Sequence, residues 1–303
     1  MLGAIIGDIV GSRFKFYSHR SKDFDLLATG CFATDDSIMT LAIAKAILAC
    51  EGDWESLGER TVKFLQEIGR KHPDCAFNSM FNRWIFSDDS KPYYSFGSGT
   101  AMHASPCGFI ARTEEEAKLL SRKITEVMHN HAEGVKGAEA VTIAIFLARS
   151  GATKKEIRER VERDYYKLDF TLDSIRDTYQ LNKTCQETVP RAIVAFLESI
   201  TFEDAIRNAI SIGGDSGILA AITGAIAEAY YGIPRPLKRK ALIYLDDELR
   251  GICHEWEQAT RSGKPNRKFD FITKYIGKLN DRDNWQDFYG EFYIFAQLNP
   301  EYG

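Results

Sequence analysis

Apolar residues recur three and four apart in six stretches, residues 38–48, 57–68, 117–127, 138–147, 193–200 and 218–230. That spacing gathers them on one face of a helix, and no segment shows the apolar and polar alternation of a half-buried strand. Pro73, Pro92, Pro106, Pro190, Pro234, Pro236, Pro265 and Pro300 fall between these stretches or suit a first helical turn, because proline has no N–H to donate and clashes inside a helix. The pattern predicts an all-α chain with a single compact domain over residues 1–260. A polar, basic break at Arg261-Ser262-Gly263-Lys264-Pro265-Asn266-Arg267-Lys268 closes it. Beyond the break, Phe269, Phe271, Tyr275, Trp285, Phe288, Tyr289, Phe292, Tyr293 and Phe295 crowd a short tail. Aromatic surface of that density has to be buried, so residues 261–303 are expected to pack back on the core or to form a dimer interface. The chain is then a monomer or a homodimer.

Two polar turns open directly into apolar helices: Thr34-Asp35-Asp36-Ser37 before residues 38–48, and Gly213-Gly214-Asp215-Ser216 before residues 218–230. Thr, Asp and Ser are ordinary N-caps, and acids near a helix start are favoured by its dipole. One cap needs one oxygen, however, and Asp35 and Asp36 bring two adjacent carboxylates that repel unless a cation lies between them. Gly97-Ser98-Gly99 lets backbone N–H groups approach a phosphate or ribose, or is simply a glycine loop. The imidazoles of His129 and His131, two residues apart, converge only from a loop.

Composition narrows the setting. The chain has 303 residues, 44% hydrophobic and 27% charged, enough for a large core. A formal charge of −4 gives no basic field for phosphate backbones, so generic nucleic-acid binding is not expected. The apolar run at residues 2–10 is short and interrupted by Asp8, and no stretch approaches the roughly twenty residues of a membrane span. Six cysteines lie far apart with no Cys-x-x-Cys pair, and read as reduced and buried. A cytoplasmic location without membrane contact follows.

Five ordered segments resemble the signatures of the ADP-ribosylglycohydrolases over residues 1–235: Gly3-Ala4-Ile5-Ile6-Gly7-Asp8-Ile9-Val10-Gly11-Ser12-Arg13-Phe14, Thr34-Asp35-Asp36-Ser37, Gly97-Ser98-Gly99-Thr100-Ala101-Met102, His129-Asn130-His131-Ala132-Glu133-Gly134 and Gly213-Gly214-Asp215-Ser216. The resemblance implies an orthogonal multi-helix fold, Mg²⁺ or Mn²⁺ at the acidic turns, and hydrolysis of the N- or O-glycosidic bond of ADP-ribosylated groups. It implies Thr34, Asp35, Asp36 and Asp215 as metal ligands, Asp35 or Asp36 as the residue that orients water, and Gly97, Ser98, Gly99, Thr100, His103, His129, His131, Gly134 and Ser216 as contacts to ADP-ribose. The chain departs from the family pattern at three metal-site positions and at one in the ligand pocket. Lys15 stands where Glu is usual, and Gly217 and Ile218 stand where the second turn usually continues with Asp and Thr or Ser. His103 stands where Arg is common. Counting Asp35, Asp36 and Asp215 against Lys15 leaves about two negative charges, which one divalent ion neutralises and two overload. The expectation is one strongly bound metal at most, or none. Three readings stay open: a glycohydrolase with a one-metal site, a non-catalytic binder of ADP-ribose or a related nucleotide, and a structural protein like the crystallin branch of the family.

Overall fold

The structure, a computed structural model, describes residues 1–261 apart from Phe16 and Ala76. The aromatic extension expected over 261–303 lies, past Arg261, outside the described residues. The helices are, in order, α1 (Leu2–Ser12), α2 (Asp35–Cys50), α3 (Leu57–Lys71), α4 (Ser79–Phe86), α5 (Gly99–His103), α6 (Ser105–Ile110), α7 (Glu114–Glu126) and α8 (Ala132–Arg149). They continue as α9 (Lys154–Asp164), α10 (Leu172–Ile175), α11 (Cys185–Leu197), α12 (Phe202–Ser211), α13 (Ser216–Tyr231), α14 (Arg235–Ala241) and α15 (Asp247–Arg261). Among the described residues there is no strand; one isolated antiparallel bridge joins Gly97 to Thr184. The six periodic stretches fall on α2, α3, α7, α8, α11 and α13, although residue 127 lies just past α7 and residues 198–200 lie past the end of α11.

Two helices form the axis of the domain, and neither has a polar face. Every residue of α1 is buried, and α13 is buried from Ser216 to Ala227. A helix apolar all round needs neighbours on every side, and α13 has them in α1, α8, α11 and α12. Helix α8 in turn carries α5, α6, α7 and α11. The outer helices are amphipathic in the ordinary way: α3 buries Leu57, Thr61, Leu65, Ile68 and Gly69 and exposes its charged positions. Thr residues cap α2, α7, α9, α10 and α12 through their side-chain oxygens, each satisfying an otherwise unpartnered N–H of a first turn.

Pro190 corrects one expectation. It lies inside α11, which starts at Cys185, well before the periodic stretch. The hydrogen bond it removes would have gone to the carbonyl of Gln186, an exposed first-turn residue, so water can replace it. Pro106 and Pro236 do lie in first helical turns. The six cysteines are buried and form no disulfide. Among the described residues no helix is long and apolar enough to cross a membrane.

Candidate functional site

The site begins with a stripe of glycine on α1. A Cβ on Gly7 would come 1.9 Å from the carbonyl oxygen of Ala220, and one on Gly11 would come 2.5 Å from that of Ser216. Only hydrogen fits there, so the backbone of α1 lies directly against that of α13. This contact carries Asp8 and the turn after α1 to the N-terminus of α13, beside the start of α2.

Asp8 is fully buried and holds the first acidic turn in shape. Its Oδ2 accepts the N–H of Thr34 (2.9 Å), the N–H of Ser37 (3.2 Å) and the hydroxyl of Ser37 (2.5 Å), while Oδ1 accepts the Thr34 hydroxyl (2.6 Å). Burial raises its carboxyl pKa, and the hydrogen bonds from Ser37 and Thr34 work against that rise. Thr34 is the N-cap of α2, taking the Asp36 N–H on its side-chain oxygen. The cap is therefore supplied without either aspartate, and Asp35 and Asp36 are surplus to helix formation. The Thr34 hydroxyl donates to Asp8 and accepts from Asp36, so it retains one lone pair for a metal.

The second turn is built differently. Gly213 and Gly214 both have φ of +73°, the left-handed region that glycine enters at little cost. Arg20 clamps this turn from outside, donating to the carbonyls of Ile212 (3.2 Å), Tyr179 (2.6 Å) and Arg176. Asp215 occupies the N-cap position of α13 yet makes no side-chain cap hydrogen bond. Ser216, expected to touch ligand, instead donates its hydroxyl to the Gly11 carbonyl at 3.0 Å and is 1% exposed. Its role in the structure is to fasten α13 to α1.

The two turns meet at Gly217. A Cβ there would lie 3.3 Å from Asp36 Oδ2, 3.7 Å from Asp8 Oδ1 and 3.8 Å from Asp215 Oδ1. Asp36 Oδ2 and Asp215 Oδ1 are buried and have no hydrogen-bond partner. Lys15 Nζ lies 3.4 Å from Asp35 Oδ1, and Lys183 Nζ lies 4.0 Å from Asp215 Oδ2. Burial first, then the Asp35 and Asp8 charges, raises the Asp36 carboxyl well above its usual range. Burial also raises Asp35, to about 6, although Lys15 pulls the other way. Burial disfavours the Lys15 ammonium, but Asp36, Asp35, Asp215 and Asp8 together hold its pKa above the ordinary lysine value.

Among the described residues no three His, Cys, Asp or Glu side chains are spaced as a ready-made metal cage. The two unpartnered oxygens nonetheless both lie within 4 Å of the point a Gly217 Cβ would occupy, and hard oxygens are the donors a hard divalent ion takes. Asp8 makes four carboxylates rather than the three counted from sequence. With Lys15 they carry three negative charges, so one divalent ion still leaves the site close to neutral.

The remaining expected contacts divide into a loop and a buried pair. The Gly97 N–H goes to Ser95 Oγ (3.1 Å), the Ser98 N–H to the Lys183 carbonyl (2.8 Å) and the Thr100 hydroxyl to the Gly97 carbonyl (3.0 Å). The Ser98 N–H therefore ties the loop to Lys183, the Gly97 N–H is spent within the loop on Ser95, and neither is offered to a phosphate. Gly134 allows the first turn of α8 to close on the same loop, since a Cβ there would come 2.8 Å from the Ser95 carbonyl. Gly99 begins α5 beside it. His131 caps α8 through Nδ1 and packs edgewise against Tyr94 and Phe96, which are 71% and 45% exposed.

His103 and His129 are buried, the former against Phe81 and the latter with Nε2 3.2 Å from the Tyr93 hydroxyl. Burial pushes both pKa values down to about 3, His129 adding to the effect on His103. Both rings are neutral in the fold and would charge near 6.5 when unfolded. Their contribution to stability is complete above pH 6.5 and is lost as pH falls, by about 1.4 kcal/mol per pH unit for each ring. Asp35, raised to about 6, acts in the opposite sense, stabilising below about 4 and less as pH rises through 6. His103→Leu is expected to flatten the acid side of the stability curve by about 1 kcal/mol per pH unit. Urea midpoints at pH 7.5 and 5.0 measure this, and equal pH slopes for variant and wild type would count against a neutral, buried His103.

Asp8, Arg20 and Lys183 belong to the site and were not marked as site residues by sequence pattern. A signal existed for Asp8, because an acid inside an apolar helix must find donors if it is buried. None existed for Arg20 or Lys183, whose partners are set by tertiary contact.

Comparison with known proteins identifies the family and the fold. A family model described as ADP-ribosylglycohydrolase matches residues 1–265. The chain is 24% identical to mouse ADP-ribosylhydrolase ARH3 over 309 aligned positions, covering 77% of this chain and 83% of the relative. It is 25% identical to ADP-ribosylarginine hydrolase Tri1 of Pseudomonas putida, covering 77% of this chain and 70% of the relative. A solved structure titled ADP-ribosylglycohydrolase-related protein complex superposes with a TM-score of 0.64 at 20% identity, covering 86% of this chain and 95% of that one, and shows the same fold. The match spans both acidic turns and the helices that bring them together at Gly217, and the chain belongs to the ADP-ribosylglycohydrolase family.

Proposed function

We propose that this chain binds the ADP-ribosyl group of an ADP-ribosylated substrate at the meeting point of α2 and α13 and hydrolyses its glycosidic bond through a one-cation site. The observation that carries the reading is the pair of buried, unpartnered oxygens, Asp36 Oδ2 and Asp215 Oδ1, both within 4 Å of the point a Gly217 Cβ would occupy. Asp36 and Asp215 would hold one Mg²⁺ or Mn²⁺, with the free lone pair of Thr34 beside them. When bound, such an ion supplies Lewis-acid polarisation and counter-charge. Asp35 is the more accessible of the two adjacent aspartates and its pKa of about 6 lies near neutral pH. It suits a general base, taking a proton from water on its carboxylate. Tyr94, Phe96 and His131 form an aromatic edge exposed enough to meet the base of a nucleotide. Buried cysteines that form no disulfide agree with a cytoplasmic protein.

Lys15 favours a second reading, binding without turnover. Its ammonium lies on Asp35, the base of the scheme above, and a lysine neutralises charge without polarising a bond. Release of free ADP-ribose from ADP-ribosylated peptides separates the two readings. The hydrolase reading expects release in Mn²⁺ and none in chelator; ADP-ribose binding with no release from arginine-linked or O-linked substrates would establish the second.

A further inference from the structure

Lys15 is placed by the fold rather than by chance of rotamer. The turn that carries it continues from α1 through the hydrogen bonds of Phe14 N–H to Gly11 and Lys15 N–H to Ser12, at 2.9 and 3.2 Å. Phe14 is 4% exposed and stacks on His19, with Phe24 against its edge. Anchored on both sides, the segment directs Lys15 inward, where its side chain is 17% exposed and that of its partner Asp35 11%. Of the other carboxylates, Asp8 and Asp215 meet their charge in another way, while Asp36 shares the field of Lys15. Asp8 takes four hydrogen bonds, and Asp215 Oδ2 has Lys183 at 4.0 Å, a lysine 64% exposed and free to swing away. What is left without a partner is Asp36 Oδ2 and Asp215 Oδ1.

We infer that the Lys15 ammonium is a built-in cation of the acidic site, occupying from within the chain the cation position at Asp35 and confining any divalent ion to the Asp36 and Asp215 side. The inference deepens the one-cation reading and rests on it for the second half of that statement. Two divalent ions beside Lys15 would give four carboxylates a surplus of positive charge in a buried place, whereas one leaves a single negative charge. The physical difference from a metal is permanence: a chelator cannot remove a tethered ammonium. The chain should therefore hold its acidic turns together without metal.

Thermal melts and Mn²⁺ titration of Lys15→Met and Lys15→Arg test this without any assay of activity. Wild type and Lys15→Arg are expected to melt within about 1 °C of each other in EDTA, with Mn²⁺ adding a small shift. Lys15→Met, similar in length and uncharged, is expected to melt about 3 °C or more lower in EDTA and to recover in Mn²⁺. Its Mn²⁺ affinity should rise about tenfold, or a second ion should bind, because an opposing charge a few ångströms away is gone. A Lys15→Met protein that folds only with Mn²⁺ gives the same answer in stronger form. Unchanged Mn²⁺ affinity and stoichiometry together with an unchanged melt in EDTA would overturn the inference. Mn²⁺ binding to Lys15→Met but not to wild type would leave the built-in cation standing and remove the one-cation hydrolase reading.

Discussion

Gly7→Ala is expected to cost about 3 kcal/mol or more of folding stability, a large share of the roughly 5–15 kcal/mol that holds a typical domain. The added methyl would lie 1.9 Å from the Ala220 carbonyl oxygen, 2.3 Å from its carbon and 2.7 Å from the Ala221 nitrogen. These are backbone atoms of a helix buried on all sides, so no rotamer change relieves the overlap. Helices α1 and α13 must move apart, and their separation opens the core between them and displaces Asp8 from Thr34 and Ser37. Loss of stability should thus bring loss of cation binding. Gly251→Ala is the matched control. Gly251 is an exposed position in α15 with nothing within 4 Å of an added Cβ, and alanine there should stabilise by about 0.8 kcal/mol through helix propensity. Urea denaturation compares the two, and a Gly7→Ala protein as stable as wild type would mean that α1 and α13 are not in backbone contact.

Asp36→Asn is expected to move stability and binding in opposite directions. Asp36 is 3% exposed, one of its oxygens has no partner, and it lies among Asp35, Asp8 and Asp215. Removing its charge relieves that repulsion at nearly constant shape, so the variant should be about 1 kcal/mol more stable in chelator. The same change removes one of the two free oxygens near Gly217. Cation-dependent binding of ADP-ribose should weaken at least 100-fold, and turnover by about 100-fold or more, as expected for loss of a group that positions the reacting centre. A residue that served only to hold the fold would show the reverse, lower stability with binding reduced in proportion. Melts in EDTA paired with ADP-ribose titration in Mn²⁺ decide between the two patterns.

The helices were legible in the sequence because their apolar spacing reports burial directly. The two acidic turns were legible because they held more carboxylate than a cap can use, and Thr34 indeed supplies the cap of α2 by itself. Asp8 was harder: it reads as an interruption of an apolar run until Thr34 and Ser37, more than twenty residues away, are seen to donate to it. Pro190 misled because a proline rule states the local cost, while the exposed first-turn position of Gln186 makes that cost small. Ser216 misled for a related reason. A hydroxyl in a polar turn looks available, but the close packing of α1 on α13 gives it the Gly11 carbonyl as a partner. Contacts such as Arg20 on the Ile212 carbonyl and Lys183 near Asp215 depend on where distant segments pass one another, which no local pattern records.

Calorimetric titration of ADP-ribose into wild-type protein, once in EDTA and once in millimolar Mn²⁺, tests the central claim most directly. The claim is that Asp36 and Asp215 form a one-cation site for an ADP-ribosyl group. It predicts saturable binding in Mn²⁺ with about one ion per chain, and binding at least tenfold weaker in EDTA. Equal affinity in both would show that the acidic turns hold ADP-ribose with their own lysine and would contradict a cation-dependent site. Absence of binding in both would contradict an ADP-ribosyl site in this chain altogether.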